Sequence, residues 1–251
     1  MATHRALLLA INHYKLKANE LDGCLNDQSD LEVALLKIHP DYLIIKLSDS
    51  GVTVNNVKEA LAKIINDSQP NDTLLIHYSG HGTRMPCRID GVVEENQYDE
   101  ALFLYDGCLI HNDIHSVLLQ LKDNVKCLVL LDACFSGSAT RSVGDIINKI
   151  GRFILNEKHE SLHVRRSEMF KYPDMKWMTI AGCGDDQTSA DACINDRYNG
   201  AFTYFALKTL NPRHSIEKWY MEIRKYLPSN DYTQHPKIEG NPKLFKFKIF
   251  E

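Results

Sequence analysis

Apolar runs and amphipathic stretches alternate along the chain, and their periods predict its elements. Residues 5–11 (RALLLAI) form a short apolar run, and behind it Leu31, Leu35 and Ile38 recur at helical spacing. Residues 42–47 (YLIIKL) are the next strand. TVNNVKEALAKIIND then puts Val57, Leu61, Ile64 and Ile65 on one face, with Thr53 placed as N-cap. Residues 72–82 (DTLLIHYSGHG) are a strand ending in glycines, 100–106 a short extra strand, and a helix starts near Asn112. VKCLVLLDAC is a fourth main strand, 176–183 another, and GAFTYFALKTL a helix. SIEKWYMEIRKYL follows as a helix capped by Ser215, with Glu217 in its first turn. Residues 243–250 (KLFKFKIF) alternate lysine with apolar side chains, which predicts a half-exposed antiparallel edge strand. Strands separated by helices imply an α/β fold: a mostly parallel sheet of about six strands, covered on both faces.

Composition narrows this picture. With 251 residues, 44% hydrophobic and 25% charged, the chain can bury one sizeable core. No linker, repeat or low-complexity tract divides it, so one domain over 1–251 is expected. A net charge of −4 offers no basic surplus for nucleic acid. No window approaches ~18 consecutive apolar residues, so no membrane span is expected. The opening MATHRALLLAINHY lacks a small-residue cleavage site and is read as a strand rather than a leader. The seven cysteines contain no C-x-x-C pair, which removes zinc ribbons and thioredoxin motifs. Most are expected to be buried, inert thiols in a cytoplasmic protein, with one or two reactive.

Two strand ends carry chemistry. In parallel α/β sheets, sites collect beyond the carboxyl ends of the strands. HYSGHG sets His81 between Gly80 and Gly82, where the chain can turn tightly and leave the imidazole accessible. LVLLDACFSGSATR (128–141) ends a buried run with Asp132, then Cys134. A thiol needs help to ionise near neutral pH, and an imidazole supplies it. Gly137, with Ser136 and Ser138, offers N–H groups for an oxyanion. Taken singly, a glycine-flanked histidine is more often structural and a strand-end cysteine more often a small hydrophobe. Together they are sharper, because His81 precedes Cys134 by 53 residues, close to the His–Cys separation of caspases.

HYSGHGTR and DACFSGS resemble the histidine and cysteine boxes of metacaspases, in the caspase clan. ALLLAINHYKLKANELDGCLNDQSDL resembles the family's first strand and G-C-x-N-D loop. QYDEALFLYDG, IAGCGDDQTSADA and GAFTYFAL resemble later segments, so the likeness covers roughly residues 5 to 210. It implies a three-layer caspase-like fold, p20-like over 1–140 and p10-like over 174–251. It also implies a cysteine endopeptidase in which His81 is the base, Cys134 the acylated nucleophile, and the Gly82 and Cys134 amides the oxyanion donors. In metacaspases the aspartates of G-C-x-N-D and before the catalytic cysteine line S1. Here these are Asp27 and Asp132, with Cys24 and Ser79 beside them.

Two carboxylates in one narrow pocket repel each other, and a guanidinium relieves that cost with bidentate bonds that lysine cannot make. Protein substrates cut after Arg, then Lys, are therefore expected. The plain alternative is an Asp27 that only caps the following helix. Asp185 and Asp186 could reach the pocket rim or simply bond a turn. No cofactor is expected: many metacaspases hold calcium on aspartates, but this chain reads Asn112-Asp113 for an acidic pair and Arg141 for a further acid. The basic stretch 142–173 is either a solvated loop or a functional one, and it offers Arg165, Arg166 and Lys171 as self-cleavage points. A monomer is expected from the lysine-bearing edge strand. A catalytically silent caspase-fold scaffold and a clostripain-like Arg-specific peptidase remain the alternatives.

Overall fold

In a computed structural model, the described residues are 2–89, 92–134, 149–151, 175–184 and 189–251, with backbone alone at 86–89, 92–97 and 149–151. The first half runs β1 (His4–Ala10), α1 (Cys24–Ile38), β2 (Leu43–Ser48), α2 (Val54–Asp67), β3 (Thr73–Ser79), β4 (Gly82–Ile89), β5 (Val92–Phe103) and β6 (Cys108–Ile110). Then come α3 (His111–Leu118), β7 (Lys126–Asp132), β8 (Lys149–Gly151), β9 (Trp177–Ala181), β10 (Ala190–Ile194) and β11 (Arg197–Gly200). The chain closes with α4 (Ala201–Lys208), α5 (Ile216–Ile223) and β12 (Lys237–Gly240).

Six strands form the central sheet in the order β12-β9-β7-β3-β1-β2. All pairings are parallel except β12 on β9. Side-chain alternation splits each strand between two cores. Leu7, Leu9, Leu74, Ile76, Cys127 and Val129 face α2 and α3, with Val57, Leu61, Ile64 and Leu118. Ala6, Leu8, Leu75, Leu128, Leu130 and Ile180 face α1, α4 and α5, with Leu31, Leu35, Phe202 and Trp219. The result is a three-layer sandwich, and its central strands read as mainly apolar runs rather than alternating ones because both faces are covered. From β1 the chain passes to β2 on one side, then returns across to β3 on the other. The strand order thus reverses between β1 and β3, where open α/β sheets hold their ligands.

The caps expected at Thr53 and Ser215 are present, accepting from the Asn56 and Lys218 amides at 3.2 Å each. The final strand is a correction. Residues 243–250 are not a strand, and β12 supplies the antiparallel edge instead. The carbonyls of Phe247 and Phe245 accept from the Ile216 and Glu217 amides at 2.9 and 3.1 Å, so this segment closes the N-terminus of α5. Leu244, Ile249 and Phe250 are buried in the α5 core. Side chains alternating in sign served a wrapped tail, not a ladder, and the edge-strand argument for a monomer falls with it. Two small antiparallel sheets, β4-β5-β6 and β11-β10-β8, were not anticipated as sheets; the extra strand expected at 100–106 is the end of β5, which stops at Phe103.

Candidate active site

The register places the two chemical residues side by side. Ser79 pairs with Asp132 at the last rung of β3 and β7. His81 and Cys134 each stand two residues beyond that rung, at the carboxyl edge. The Gly80 amide lies 3.4 Å from the Asp132 carbonyl, so the strands stay together as they leave the sheet.

His81 is buried and held on every side. Its amide donates to the Tyr14 hydroxyl at 2.8 Å, and its carbonyl accepts from the Phe103 amide at 2.9 Å. The imidazole Nε2 lies 2.9 Å from the Asn19 carbonyl. A carbonyl only accepts, so Nε2 carries a proton and Nδ1 is the nitrogen able to gain one. Gly82 opens β4 directly behind this turn.

Cys134 has no exposed surface. Its Sγ accepts from the Ser189 amide and lies 3.5 Å from the Ser189 carbonyl. Burial, then a hydrogen bond with Cys183, pushes the Cys134 thiol well above its ordinary range. Burial alone does the same for Cys127 in β7. Both thiols keep their protons longer in the folded chain than in the unfolded one, where ionisation begins near pH ~8.5. Stability from these groups is complete below that pH and declines above it, because the unfolded chain then binds fewer protons. We expect the thermal midpoint to hold from pH 6.5 to 8 and to fall between 8.5 and 10, each thiol contributing up to about 1.4 kcal/mol per pH unit. A midpoint flat across that interval in scanning calorimetry contradicts it.

The two acids meet at one place, the N-terminus of α4. Asp27, in the first turn of α1, accepts from Ser79 Oγ at 2.7 Å and Asn199 Nδ2 at 3.0 Å. It also accepts from the Gly200 amide at 2.9 and 3.1 Å. Asp132 accepts from Ser189 Oγ at 2.6 Å and from the Thr203 amide and hydroxyl at 2.8 and 2.7 Å. His77 Nε2 lies 3.2 Å from that hydroxyl. Both carboxylates are fully buried, and the helix dipole together with these donors lets the charges stay there. Asp27 does not cap its own helix; it closes a different one. Cys24 is buried alongside, its amide bonded to Asn12 Oδ1 at 2.8 Å. Asp191 holds the loop before α1 by accepting from the Asp22 and Gly23 amides. Gly23 has room for nothing larger, since a Cβ there would lie 2.8 Å from Asn199 backbone carbons.

The structure therefore gathers His81, Cys134, Asp27, Asp132, Cys24, Ser79 and Gly82 at one edge. Residues 135–148, with the Ser136–Gly137–Ser138 amides and Arg141, lie outside the described residues. So do Arg165, Arg166, Lys171, Asp185 and Asp186. Ser189, Thr203, Asn199 and Gln234 were not anticipated. Gln234 is buried, with Nε2 at 2.9 Å from the Gly182 carbonyl and 3.2 Å from Ser189 Oγ. Each of these residues is an ordinary polar residue in its own segment, Thr203 in the first turn of α4 and Asn199 on β11, and its partner is distant in sequence, so nothing local marked it.

Asn112 Nδ2 lies 3.3 Å from Asp99 Oδ1, and Asp113 is bound by the Lys58 ammonium at 2.7 Å. Among the described residues, no group of three or more His, Cys, Asp or Glu could hold a metal. Likewise, no described helix is long and apolar enough to cross a membrane.

Known proteins point the same way. The family model of the caspase domain, Peptidase_C14, matches residues 3–247. Metacaspase-1 of Meyerozyma guilliermondii is 28% identical over 287 residues, covering 94% of this chain and 69% of the relative. Metacaspase-1 of Schizosaccharomyces pombe is 29% identical over 293 residues, covering 96% and 68%. A Geobacter sulfurreducens protein of known structure superposes with a TM-score of 0.75 at 23% identity, covering 99% of this chain and 98% of that one. Caspase-1 from Spodoptera frugiperda gives 0.64 at 11% identity, covering 95% and 86%. With a family match across nearly all of its length and the sheet order to go with it, the chain belongs to the caspase-domain family and is a cysteine-type peptidase.

Proposed function

We propose that this peptidase cuts protein chains after arginine, and less efficiently after lysine, through a His81–Cys134 dyad. The observation that carries the reading is the shared carboxyl edge: His81 and Cys134 at matched offsets from the Ser79–Asp132 rung, with Asp27 and Asp132 buried beside them. The Cys134 proton passes to His81 Nδ1 as the sulfur attacks the scissile carbonyl carbon. The tetrahedral oxygen is met by the Gly82 and Cys134 amides. His81 then returns the proton to the leaving amine, and water hydrolyses the thioester by the reverse transfer. Asn19 keeps the ring in the tautomer this needs.

The buried thiol describes a resting arrangement. Peptide must displace Ser189 from the sulfur before attack, and the same displacement loosens the Ser189 bond to Asp132. A basic side chain then becomes the partner of the two carboxylates. Activity without calcium is expected, and the pairing of Asp113 with the Lys58 ammonium at 2.7 Å is in keeping with it.

Fluorogenic peptides with Arg, Lys or Asp before the reporter, each run with calcium or with chelator, test this directly. Arginyl turnover should exceed lysyl, aspartyl should be absent, and chelator should change nothing. No turnover of basic peptides under either condition would favour a silent scaffold. Self-cleavage within 142–173 is the second expectation. Intact mass after long incubation should show fragments ending at Arg165, Arg166 or Lys171 in the wild type and none in Cys134→Ala. Equal intact masses remove that expectation.

A further inference from the structure

Cys183, just past the end of β9, has no part in hydrolysis as described. Leu131 pairs with Ala181 at the last rung of these parallel strands, and the Gly182 amide still donates to the Leu131 carbonyl at 2.8 Å. Continuing that register sets Cys183 opposite Ala133, and Cys183 Sγ lies 3.3 Å from the Ala133 carbonyl. Cys134 is the next residue, and Cys183 is among the neighbours that raise its thiol. Neighbouring strands run about 4.8 Å apart, so backbones offset by one residue fall inside the ~4.4–6.8 Å Cα separation that a disulfide needs; because successive residues of a strand face opposite sides, closing it also requires the two chain ends beyond the sheet to turn their side chains toward each other. Both thiols are buried, and the bond from Cys183 to the Ala133 carbonyl is one that a hydroxyl can also make.

We propose that Cys134 and Cys183 are a redox pair, in which a hydroperoxide oxidises Cys134 and Cys183 closes a disulfide that reversibly silences the peptidase. The inference rests on Cys134 being the nucleophile only for its effect on activity. In the first step the Cys134 sulfur, its proton passed to His81, attacks a peroxide oxygen. An S–O bond forms, the O–O bond breaks, and the departing hydroxide or alkoxide takes up a proton; sulfur loses two electrons and the peroxide gains them. In the second, the Cys183 sulfur attacks the sulfenic sulfur. An S–S bond forms, the S–O bond breaks, and hydroxide leaves with the Cys183 proton as water. Displacement of Ser189, which admits a peptide, admits the peroxide as well. With Cys183 this close, resolution competes with a second peroxide, and Cys134 is spared irreversible sulfinic acid.

The test treats the purified full chain with hydrogen peroxide, blocks remaining thiols with iodoacetamide, and maps peptides by mass. The Cys134 and Cys183 peptides should be recovered joined, two hydrogens lighter than their sum. Arginyl-peptide activity should drop about ten-fold or more and return with dithiothreitol. Cys183→Ser keeps a donor for the Ala133 carbonyl and should retain basal activity. After the same peroxide dose its Cys134 should be sulfinic and its activity should not return. Should that variant fail to fold, Cys183→Ala and the wild-type peptide map decide the matter. Wild-type Cys134 that becomes sulfinic without cross-linking, or joins another cysteine, overturns the pair, as does a serine variant that recovers fully. A cross-link in a protein without peptidase activity upholds the pair and sinks the proposed function; activity without a cross-link does the opposite.

Discussion

Cys134→Ala should leave a folded protein whose kcat for an arginyl peptide is lower by about four orders of magnitude or more. Acyl transfer needs an atom that gives its proton to His81 Nδ1 and then bonds the carbonyl carbon, and alanine has none. The change is small for the fold. It removes one sulfur from a buried site and takes an acceptor from the Ser189 amide, at a cost of about 1–3 kcal/mol. Thermal unfolding therefore separates lost chemistry from lost structure. A folded Cys134→Ala that keeps more than about one part in a hundred of wild-type kcat would move the nucleophile elsewhere.

Much of this site was legible in the chain because its residues sit on elements with strong periodic signals. β3 and β7 are mainly apolar runs, so their ends, and hence His81 and Cys134, could be located without coordinates. Asp27 was legible only through likeness to a family, since an acid in the first turn of a helix is ordinary. What it does there depends on Gly200, more than 170 residues away, and no local pattern reports a contact that distant. The β10–β11 hairpin shows a missed local signal. Asn195 and Asp196 both adopt positive φ, 53° and 61°, the pairing of a type I′ turn, and the Asn-Asp dipeptide between short β-prone segments was available to read. The tail at 243–250 failed for another reason: alternation of lysine and apolar residues is shared by a strand and by a wrapped segment, which here buries Leu244, Ile249 and Phe250 and leaves Phe247 exposed. Only the carbonyl acceptors for α5 distinguish them.

Asp27→Asn should cost about 3 kcal/mol in transition-state binding of arginyl peptides, a hundred-fold or more in kcat/KM, with the loss concentrated in KM. The substitution keeps the shape of the side chain and removes its charge. Asparagine offers one acceptor oxygen where Asp27 uses two, so its amide nitrogen must face either Ser79 Oγ or the Gly200 and Asn199 donors. That mismatch lowers stability by about 1–3 kcal/mol, which the thermal midpoint reads. Selectivity reads the charge. Citrulline has nearly the shape of arginine without its charge, so wild type should strongly prefer an arginyl over a citrullinyl peptide. In Asp27→Asn the ratio should contract by the same hundred-fold, because one of the two carboxylates that rewarded the guanidinium is gone. Asp132→Asn should act in the same direction, since Ser189 and Thr203 donate to it as Ser79 and Gly200 donate to Asp27. If Asp27 only closes the N-terminus of α4, the midpoint falls and both peptides lose equally. An unchanged arginine-to-citrulline ratio in a folded Asp27→Asn therefore removes it from the specificity pocket.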